Sequence, residues 1–310
     1  MTREKESLAV TVKVALRMWL FRLQYALVRR RLAPFRILTP AETVRYVLDH
    51  RCSVCRYGDG EMDMITSLHA GYDDSRRSTF QPYDAELARR LDEVLRSGSS
   101  DTPAVLVCVP YVWQHPELLV PRASLFVRRN VVLNLRAILG ALRPDVVYGD
   151  TNMSRFYIDF KDKDKAAYVR LCRRIWEGRD VCLVEGEQSR LGVGNDLFAN
   201  ARSVERILCP PVGAFARYDQ ILAAACRVEP SRLFLLALGQ TATVLAYDLA
   251  HTGRQAIDIG HIDVEYEWMK MGATEKVALP RKFVNEVEAG RTVAEETDSG
   301  YLAQIIDRII

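Results

Sequence analysis

Two acidic side chains, Asp59 and Glu61, stand on either side of Gly60 in the run Val-Cys-Arg-Tyr-Gly-Asp-Gly-Glu at residues 54–61. The apolar lead-in is typical of the end of a buried strand, and the glycines after it predict a tight turn. Positions i and i+2 of an extended segment point to the same side. Both carboxylates should therefore face one divalent cation, with Arg56 near enough for a phosphate, since Mg²⁺ and Mn²⁺ favour carboxylate oxygens and share them with substrate phosphates. The alternative for this segment in isolation is a solvated Gly-Asp-Gly turn.

A second candidate site lies at residues 235–243, where an apolar strand leads through Gly239 into a predicted helix start. The free N–H groups at the beginning of a helix, together with the hydroxyls of Thr241 and Thr243, suit a phosphate. The segment has neither the Gly-x-x-x-x-Gly-Lys-Ser/Thr form of a nucleoside-triphosphatase loop nor the Gly-x-Gly-x-x-Gly form of a dinucleotide site. By itself it does not decide between a phosphate site and an ordinary strand–helix turn.

Residues 185–196 directly follow a predicted buried strand and combine three glycines with many hydrogen-bonding side chains. A solvated loop does not need this density of polar groups, whereas a sugar, whose hydroxyls both donate and accept, does. The candidates for sugar and ribose contacts are Glu187, Arg190, Asn195 and Asp196.

The segment from Asp258 to Trp268 contains three carboxylates that could serve as the general base for an acceptor hydroxyl: Asp258, Asp263 and Glu265. The residue types alone do not choose among them. His261 lies between the two aspartates, and oxygen ligands with one histidine suit Mn²⁺ better than Zn²⁺. The chain has no His-Glu-x-x-His pair and no Gly-x-Ser-x-Gly motif, which argues against a zinc or serine hydrolase.

These segments need a fold that gathers them. Short apolar strands alternate with helical segments, which predicts a Rossmann-like α/β fold with a mostly parallel sheet flanked by helices. Ligands of such open sheets bind beyond the carboxyl ends of the strands. The polar, glycine-bearing segments 56–61, 185–196, 239–243 and 258–265 all follow predicted strands, so we expect them at one edge of the sheet. The last strand is predicted at 255–259, and a short amphipathic helix at 301–310.

The composition, with 49% hydrophobic residues among 310 and a net charge of +3, is that of an ordinary globular protein and gives no reason to expect nucleic acid as a partner. Seven cysteines, most of them in apolar runs, predict buried thiols in a reducing cytosol. Residues 1–36 hold nine Lys or Arg and two Glu, which leaves 34 basic and 38 acidic residues in 37–310. We therefore expect a basic helical extension at 1–36 and a single α/β domain at 37–310.

Residues 8–31 contain neither Pro nor Gly and predict an amphipathic helix. Charges interrupt it too often for a membrane-spanning helix or a signal peptide. One interpretation places it on the anionic inner face of the cytoplasmic membrane, as a peripheral anchor helped by the run Arg29-Arg30-Arg31. The other packs its apolar face on the domain or on a second copy in a homodimer.

Taken together, four segments resemble the GT-D glycosyltransferases, a family first catalogued as a bacterial domain of unknown function. They are Arg56–Glu61, Val184–Phe198, Gly239–Leu249 and Asp258–Trp268. The resemblance implies a Rossmann-like single domain of the family's own type and UDP-sugar donors, typically UDP-glucose, and the family includes enzymes that extend glycans on bacterial surface adhesins. The family's Asp-x-Glu motif, needed for nucleotide binding and activity, corresponds to Asp59 and Glu61. Gln240 stands where the family more often has proline.

We therefore expect a metal-assisted glycosyltransferase that moves a hexose, with glucose as the first choice, from a UDP-sugar to a glycan acceptor in bacterial polysaccharide or glycoprotein assembly. A divalent cation, Mn²⁺ or Mg²⁺, is the expected cofactor, and a lipid-linked glycan at the inner membrane would fit the basic helix. The alternatives are a non-catalytic nucleotide-binding protein at a membrane and a pyruvyl or phosphoryl transferase that modifies polysaccharide. The candidate residues for the donor are Arg56, Gly58, Asp59, Glu61, Glu187, Arg190, Asn195, Asp196, Gly239, Thr241 and Thr243, with Asp59 and Glu61 as metal ligands.

Overall fold

A computed structural model of the chain describes residues 18–72, 80–293 and 295–310. The strands are β1 (Arg36–Ile37), β2 (Ser53–Arg56), β3 (Ser100–Asp101), β4 (Ala104–Val109), β5 (Val147–Asp150), β6 (Asp180–Gly186), β7 (Ser203–Cys209), β8 (Leu233–Ala237), β9 (Ala256–Asp258) and β10 (Ile305–Arg308). They form one sheet in the order β1-β5-β4-β2-β9-β8-β6-β7-β10. All pairs along this order are parallel, and β3 adds an antiparallel pair to β4. The predicted mostly parallel sheet is confirmed.

Helices cover both faces of the sheet. They are α1 (residues 18–28), α2 (Pro40–His50), α3 (Asp59–Ala70), α4 (Ala85–Ser97), α5 (Pro121–Ala141), α6 (Ala166–Arg173), α7 (Tyr218–Arg227), α8 (Gln240–His251), α9 (Ile262–Lys270) and α10 (Ser299–Ala303). Consecutive residues of β2, Val54 and Cys55, belong to two different hydrophobic clusters because successive strand residues point to opposite faces. A sheet buried on both sides explains why its strands are continuous apolar runs rather than alternating ones.

The order of the strands puts β2 in the middle of the sheet, between β4 and β9. Polar contacts join the carboxyl end of β2 to the segment after β5 and to α8. Thr151, just after β5, donates its hydroxyl to the Tyr57 carbonyl oxygen at 2.8 Å, and Thr243 in α8 donates to the Arg56 carbonyl oxygen at 2.8 Å. The segment that follows β2 therefore lies where several strands and a helix start meet.

The C-terminal segment differs from the predicted helix at 301–310. The helix α10 ends at Ala303, and β10 follows and pairs in parallel with β7. Without this pairing β7 would be the edge of the sheet, with unpaired backbone groups that favour an added strand. The Ile309 N–H donates to the Leu208 carbonyl oxygen at 2.8 Å, and the consecutive isoleucines Ile305 and Ile306 suit an extended backbone.

The predicted N-terminal helix is described only from residue 18, and the part of the prediction at 8–17 lies outside the described residues. The inner side of α1 packs on the domain: Phe21 and Tyr25 are buried, and the Tyr25 hydroxyl donates to the Trp113 carbonyl oxygen at 2.7 Å. The expected boundary after residue 36 falls within β1, which pairs with β5. In the described parts of the chain, no helix combines the length and apolar character needed to cross a membrane.

Candidate functional site

A cavity of about 1110 Å³ opens at the carboxyl edge of the sheet. Its volume exceeds that of most drug-sized ligand pockets. The predicted site residues that line it are Arg56, Gly58, Asp59, Glu61, Gly239 and Asp258. Predicted site residues from three of the four polar segments thus meet in one cavity. Arg56 and Asp258, which are in contact there, are 202 positions apart in the sequence.

Asp59 and Glu61 lie in the first turn of α3, and not in an extended segment as the sequence suggested. Two helical positions two apart are about 200° apart around the axis, so the argument that they point to the same side is wrong. Glu61 instead folds back and accepts a hydrogen bond from the Gly58 N–H at 2.7 Å, while Asp59 is exposed. Burial raises the pKa of Glu61 to about 7, and the nearby Asp258 carboxylate adds to this.

The cavity as a whole is acidic. Its lining includes twice as many carboxylates as Lys or Arg side chains; the carboxylates are Asp59, Glu61, Asp63, Asp159, Asp258, Glu275, Glu286 and Glu288, and the basic residues are Arg56, Arg122, Arg155 and Lys276. Such a field repels a diphosphate and attracts cations. Among the described residues, no three His, Cys, Asp or Glu side chains are grouped to hold a metal by themselves. The donors present therefore fit a hard cation that is bound by one or two carboxylates and shared with phosphate oxygens.

Arg56 ties three strand ends together beneath this acidic lining. Its Nη2 contacts Asp258 Oδ1 at 2.9 Å, and its Nη1 donates to the Thr151 carbonyl oxygen at 3.1 Å. Gly260 has a φ of +42°, and a Cβ at this position would overlap the guanidinium group, so only glycine lets the chain pass so close. Burial raises the pKa of Asp258, and the Arg56 charge opposes this.

The start of α8 contributes its backbone and one side chain to the cavity, through Gly239 and Gln240. The hydroxyls expected to bind phosphate are used internally: Thr241 donates to Gln81 Oε1 at 3.1 Å and Thr243 to the Arg56 carbonyl oxygen, and both residues are fully buried. Gln240 is 8% exposed, and its Oε1 is buried with no hydrogen-bond partner. A Cβ on Gly60 would meet the Gln240 carboxamide, so α8 and α3 begin in direct contact.

Polar side chains of the loop between β6 and β7 form hydrogen bonds with neighbouring segments of the protein. Arg190 is buried and donates from Nη1 to the Arg281 carbonyl oxygen at 3.1 Å. Asn195 donates from Nδ2 to Asp263 Oδ1 at 2.7 Å and to Glu267 Oε1 at 2.6 Å. These polar groups stabilise the loop and do not reach the cavity.

The two acids of the same loop also lie away from the cavity. Glu187 pairs with Arg308 at 2.6 Å, and Asp196 accepts a hydrogen bond from the Tyr266 hydroxyl at 2.8 Å. That hydrogen bond and the neighbouring Lys270 lower the pKa of Asp196 to about 2. The sequence predicts that Glu187, Arg190, Asn195 and Asp196 contact sugar hydroxyls. The position of the loop, with these side chains away from the cavity, does not support that prediction. The loop residues that do line the cavity are Ser189 and Leu191.

Two of the three candidate bases, Asp263 and Glu265, are fully buried in α9 and do not line the cavity. Asp263 Oδ2 is 2.5 Å from Lys282 Nζ, while Glu265 Oε2 accepts hydrogen bonds from the backbone N–H groups of Tyr157 at 2.7 Å and Ile158 at 2.9 Å. The sequence predicts a polar segment after β9, whereas these residues form a helix whose first turns are buried on most sides. Asp258 is the candidate base that remains in the cavity.

The structure adds one cluster that residue types alone did not bring together. His261 lines the cavity with its Nε2 3.4 Å from Glu286 Oε2, and Glu286 also pairs with Arg155. Burial lowers the pKa of His261 well below its usual value, and the charge of Arg155 adds to this, so the imidazole is neutral at pH 7. Glu286 lies in a segment without a clear core pattern, so no sequence signal pointed to it.

An open parallel sheet, with acidic and amide side chains at the carboxyl ends of its central strands, defines a Rossmann-like α/β protein with an acidic cavity at that edge. The family model described as the glycosyltransferase GT-D fold matches residues 54–287, and the chain belongs to this family.

Named relatives support the assignment. The chain is 38% identical over 271 residues to a probable glycosyl transferase Gly of Streptococcus gordonii, and 37% identical over 270 residues to glycosyltransferase GlyD of Streptococcus pneumoniae. Each match covers 87% of this chain but only 38% and 32% of the relatives, so the chain spans about a third of their length.

Solved structures agree in fold. A structure described as domain of unknown function 1792 with a distinct glycosyltransferase fold superposes with a TM-score of 0.84, at 38% identity, over 92% of this chain and 99% of that one. A structure described as a new glycosyltransferase from Streptococcus sanguinis gives a TM-score of 0.81, at 37% identity, over 89% and 100%.

Proposed function

We propose that this protein transfers a hexose, with glucose as the first candidate, from a UDP-sugar to the hydroxyl of a glycan acceptor. The observation that carries the proposal is the convergence of Asp59, Glu61, the start of α8 and Asp258 on one cavity of the size that two substrates need. The similarity of the chain to two named glycosyltransferases supports the same reaction class.

The donor half of the reaction is assigned to the starts of α3 and α8. Asp59 and Glu61 point to different sides of the first turn of α3, but both line the cavity, and they would hold Mn²⁺ or Mg²⁺ directly or through its water ligands. The cation, when bound, would neutralise the diphosphate of the donor and of the departing nucleotide. The free N–H groups at the start of α8 would meet the phosphate oxygens, and the Gln240 carboxamide, whose oxygen lacks a partner, would bind a donor hydroxyl or amide. Arg56 would hold this arrangement in register through Asp258.

The acceptor half is assigned to the side of the cavity near β9. The bond between the anomeric carbon and the diphosphate oxygen breaks, a bond from the acceptor oxygen to that carbon forms, and the acceptor proton passes to a base. Asp258 is the assigned base because it is the carboxylate of the three candidates that lines the cavity. Neutral His261 lies three residues further along the same edge and is the second candidate.

A panel of nucleotide sugars, with release of free nucleotide as the readout, tests this function. We expect release from a UDP-hexose in the presence of a glycan acceptor and Mn²⁺, and its loss in the double variant Asp59→Asn/Glu61→Gln. Glu42→Gln is the matched control, since Glu42 accepts a hydrogen bond from the Thr39 N–H at the start of α2 as Glu61 does from the Gly58 N–H at the start of α3, but lies outside the cavity. Binding of UDP without release from any donor would favour a non-catalytic nucleotide-binding protein. Transfer from a phosphoryl or pyruvyl donor alone would favour the other class of transferase.

A further inference from the structure

The helix α1 is apolar on two opposite sides. Its inner side is buried through Phe21 and Tyr25, whereas large apolar side chains on its outer side are exposed. These outer residues are Trp19 (54% exposed), Leu20 (45%), Leu23 (43%) and Leu27 (80%). At 100° per residue they form one stripe that points away from the domain, and within the described part of the chain nothing covers it. A contiguous exposed apolar stripe on a globular protein marks a surface that binds something.

Basic side chains surround this stripe. Arg22 lies beside it, and the consecutive Arg29, Arg30 and Arg31 at the end of α1 are exposed. The sequence from residue 18 to 38 contains no Asp or Glu. An acidic influence on α1 comes from Glu117, which lies outside the helix and contributes to raising the pKa of Tyr25. The Glu117 carboxylate is 3.1 Å from the His115 imidazole. An apolar stripe with a basic border and an aromatic residue has the chemistry of a helix that lies in the headgroup region of an anionic bilayer.

The neighbouring helix α5 repeats the pattern. It contains Arg122, Arg128, Arg129 and Arg136 and no acidic residue, and it exposes Phe126 (46%) and Leu133 (44%). The Arg128 guanidinium lies over the Tyr25 ring of α1 at 5.4 Å, which places the two helices side by side.

The helix α5 is also a wall of the cavity, through Arg122, Ala123, Phe126, Val127 and Asn130. Trp113, which accepts the hydrogen bond from Tyr25, lines the cavity as well. The exposed side of α5 therefore reaches the rim of the cavity through Phe126.

We propose that the outer side of α1 and the exposed side of α5, here called the α1–α5 face, docks on an anionic lipid bilayer and holds the cavity beside the membrane surface. The Leu and Trp side chains of α1 enter the headgroup region, and the arginines meet lipid phosphates. An acceptor glycan carried on a lipid would then reach the cavity along α5; this last step rests on the proposed function, whereas bilayer docking does not.

A second copy of the chain is the less favourable occupant. In a two-fold dimer this face would meet itself, because such an interface uses the same patch on both subunits. The arginines of α1 and α5 would then face arginines, with no acidic residue in either helix to pair with them. Like charges brought together in an interface are strongly unfavourable, whereas an anionic bilayer complements them.

Co-sedimentation of the full chain with vesicles tests the docking without any turnover. We expect binding to mixed phosphatidylcholine–phosphatidylglycerol vesicles that weakens with salt, and little binding to phosphatidylcholine alone. The variant Arg29→Gln/Arg30→Gln/Arg31→Gln should lower the partition coefficient on the order of 100-fold, since each basic residue near an anionic surface contributes about a factor of five. Leu23→Gln/Leu27→Gln should lower it by about tenfold or more.

Controls remove the same kinds of side chain elsewhere. Arg202→Gln/Arg227→Gln and Met271→Gln change exposed residues outside α1 and α5 and should bind as the wild type does. Leu133→Gln/Arg136→Gln tests the contribution of α5, and circular dichroism checks the fold of each variant. Equal binding to neutral and mixed vesicles, or wild-type binding by the Arg29–Arg31 variant, would overturn the proposal. The proposal would also be overturned if the protein bound no vesicles and instead formed a concentration-dependent dimer that Leu27→Gln dissociates. If the wild-type protein docks on vesicles but releases no nucleotide from any donor, the proposed function fails and the docking proposal stands.

Discussion

The ion pair between Arg56 and Asp258 gives the sharpest stability prediction. Its side chains are 11% and 4% exposed, and its atoms are 2.9 Å apart. Arg56→Met leaves a buried carboxylate without its cation, which costs about 3–5 kcal/mol when a buried pair is broken in this way. The variant also loses the hydrogen bond to the Thr151 carbonyl oxygen, about 1 kcal/mol. Replacing both partners of a buried pair is often close to neutral. The loss in free energy of unfolding in Arg56→Met/Asp258→Leu should therefore be smaller than the sum of the losses in the two single variants, by at least about 2 kcal/mol.

The same pair predicts a pH dependence with a definite sign. In Arg56→Met, burial raises the pKa of Asp258 in the folded state above its unfolded value, without the opposing charge of Arg56. The folded state then binds more protons than the unfolded state, so stability falls as pH rises through the interval between the two pKa values. The destabilisation relative to wild type should therefore be smaller at pH 5 than at pH 8.

Urea unfolding followed by circular dichroism, at pH 5 and pH 8, measures both effects through the free energy of unfolding. Arg202→Met is the control, because Arg202 forms a surface ion pair with Asp180 and is 67% exposed, and exposed pairs contribute less than about 1 kcal/mol. If the free energies of the two single variants simply add, or if the cost of Arg56→Met is the same at both pH values, the pair is not the buried, coupled contact described above.

Three further substitutions test other contacts of the structure. Lys282→Met leaves Asp263 buried without its cation and should cost about 3–5 kcal/mol in urea unfolding, with recovery in Lys282→Met/Asp263→Leu; equal stability of single and double variants would argue against the pairing. Asp150→Asn should remove a stability loss of at most about 3 kcal/mol between pH 5 and 8, because burial raises the pKa of Asp150 to about 7; parallel pH profiles of variant and wild type would contradict it. Gly60→Ala should weaken UDP binding about tenfold in calorimetry while changing stability by less than about 1 kcal/mol, because the new Cβ displaces the Gln240 carboxamide while Ala suits a helix better than Gly; unchanged affinity would remove Gln240 from the donor site.

The sequence was sufficient for the sheet and for part of the site. Alternating short apolar strands and helices fixed the fold class, and the rule that ligands bind at the carboxyl ends of strands brought Arg56, Gly239 and Asp258 to one cavity. This worked because strand direction, and hence the edge at which each following segment lies, depends only on local pattern and connectivity.

The roles of the polar side chains depended on contacts that no local pattern contains. Asp263 is neutralised by Lys282, which lies in a segment without a clear core pattern, and Glu265 caps backbone N–H groups more than 100 positions away. The position of Thr241 and Thr243 at a helix start predicts a phosphate site, yet the first turns of α8 are buried on nearly every side, so both hydroxyls form internal hydrogen bonds. A buried carboxylate or hydroxyl looks the same as a catalytic one in sequence until its partner is known.

The C-terminal strand escapes prediction from sequence for a different reason. The strand β10 has only four residues, and its pairing with the open edge of β7 decides its conformation, because residues 301–310 alone fit a short helix equally well. The sequence predicts an amphipathic helix at 8–31, but only the burial of Tyr25 and the exposure of Leu27 show that α1 is apolar on two sides and which of them remains available.

Calorimetric titration of the protein with UDP, with and without Mn²⁺, tests the central claim most directly. If Asp59 and Glu61 hold the nucleotide through a divalent cation, wild type should bind UDP at least about tenfold more tightly with Mn²⁺ than with a chelator, and Asp59→Asn/Glu61→Gln should lose this difference. Glu42→Gln should keep it, since it alters the equivalent capping residue of a helix outside the cavity. Metal-dependent UDP binding of equal strength in wild type and in the double variant would contradict the account.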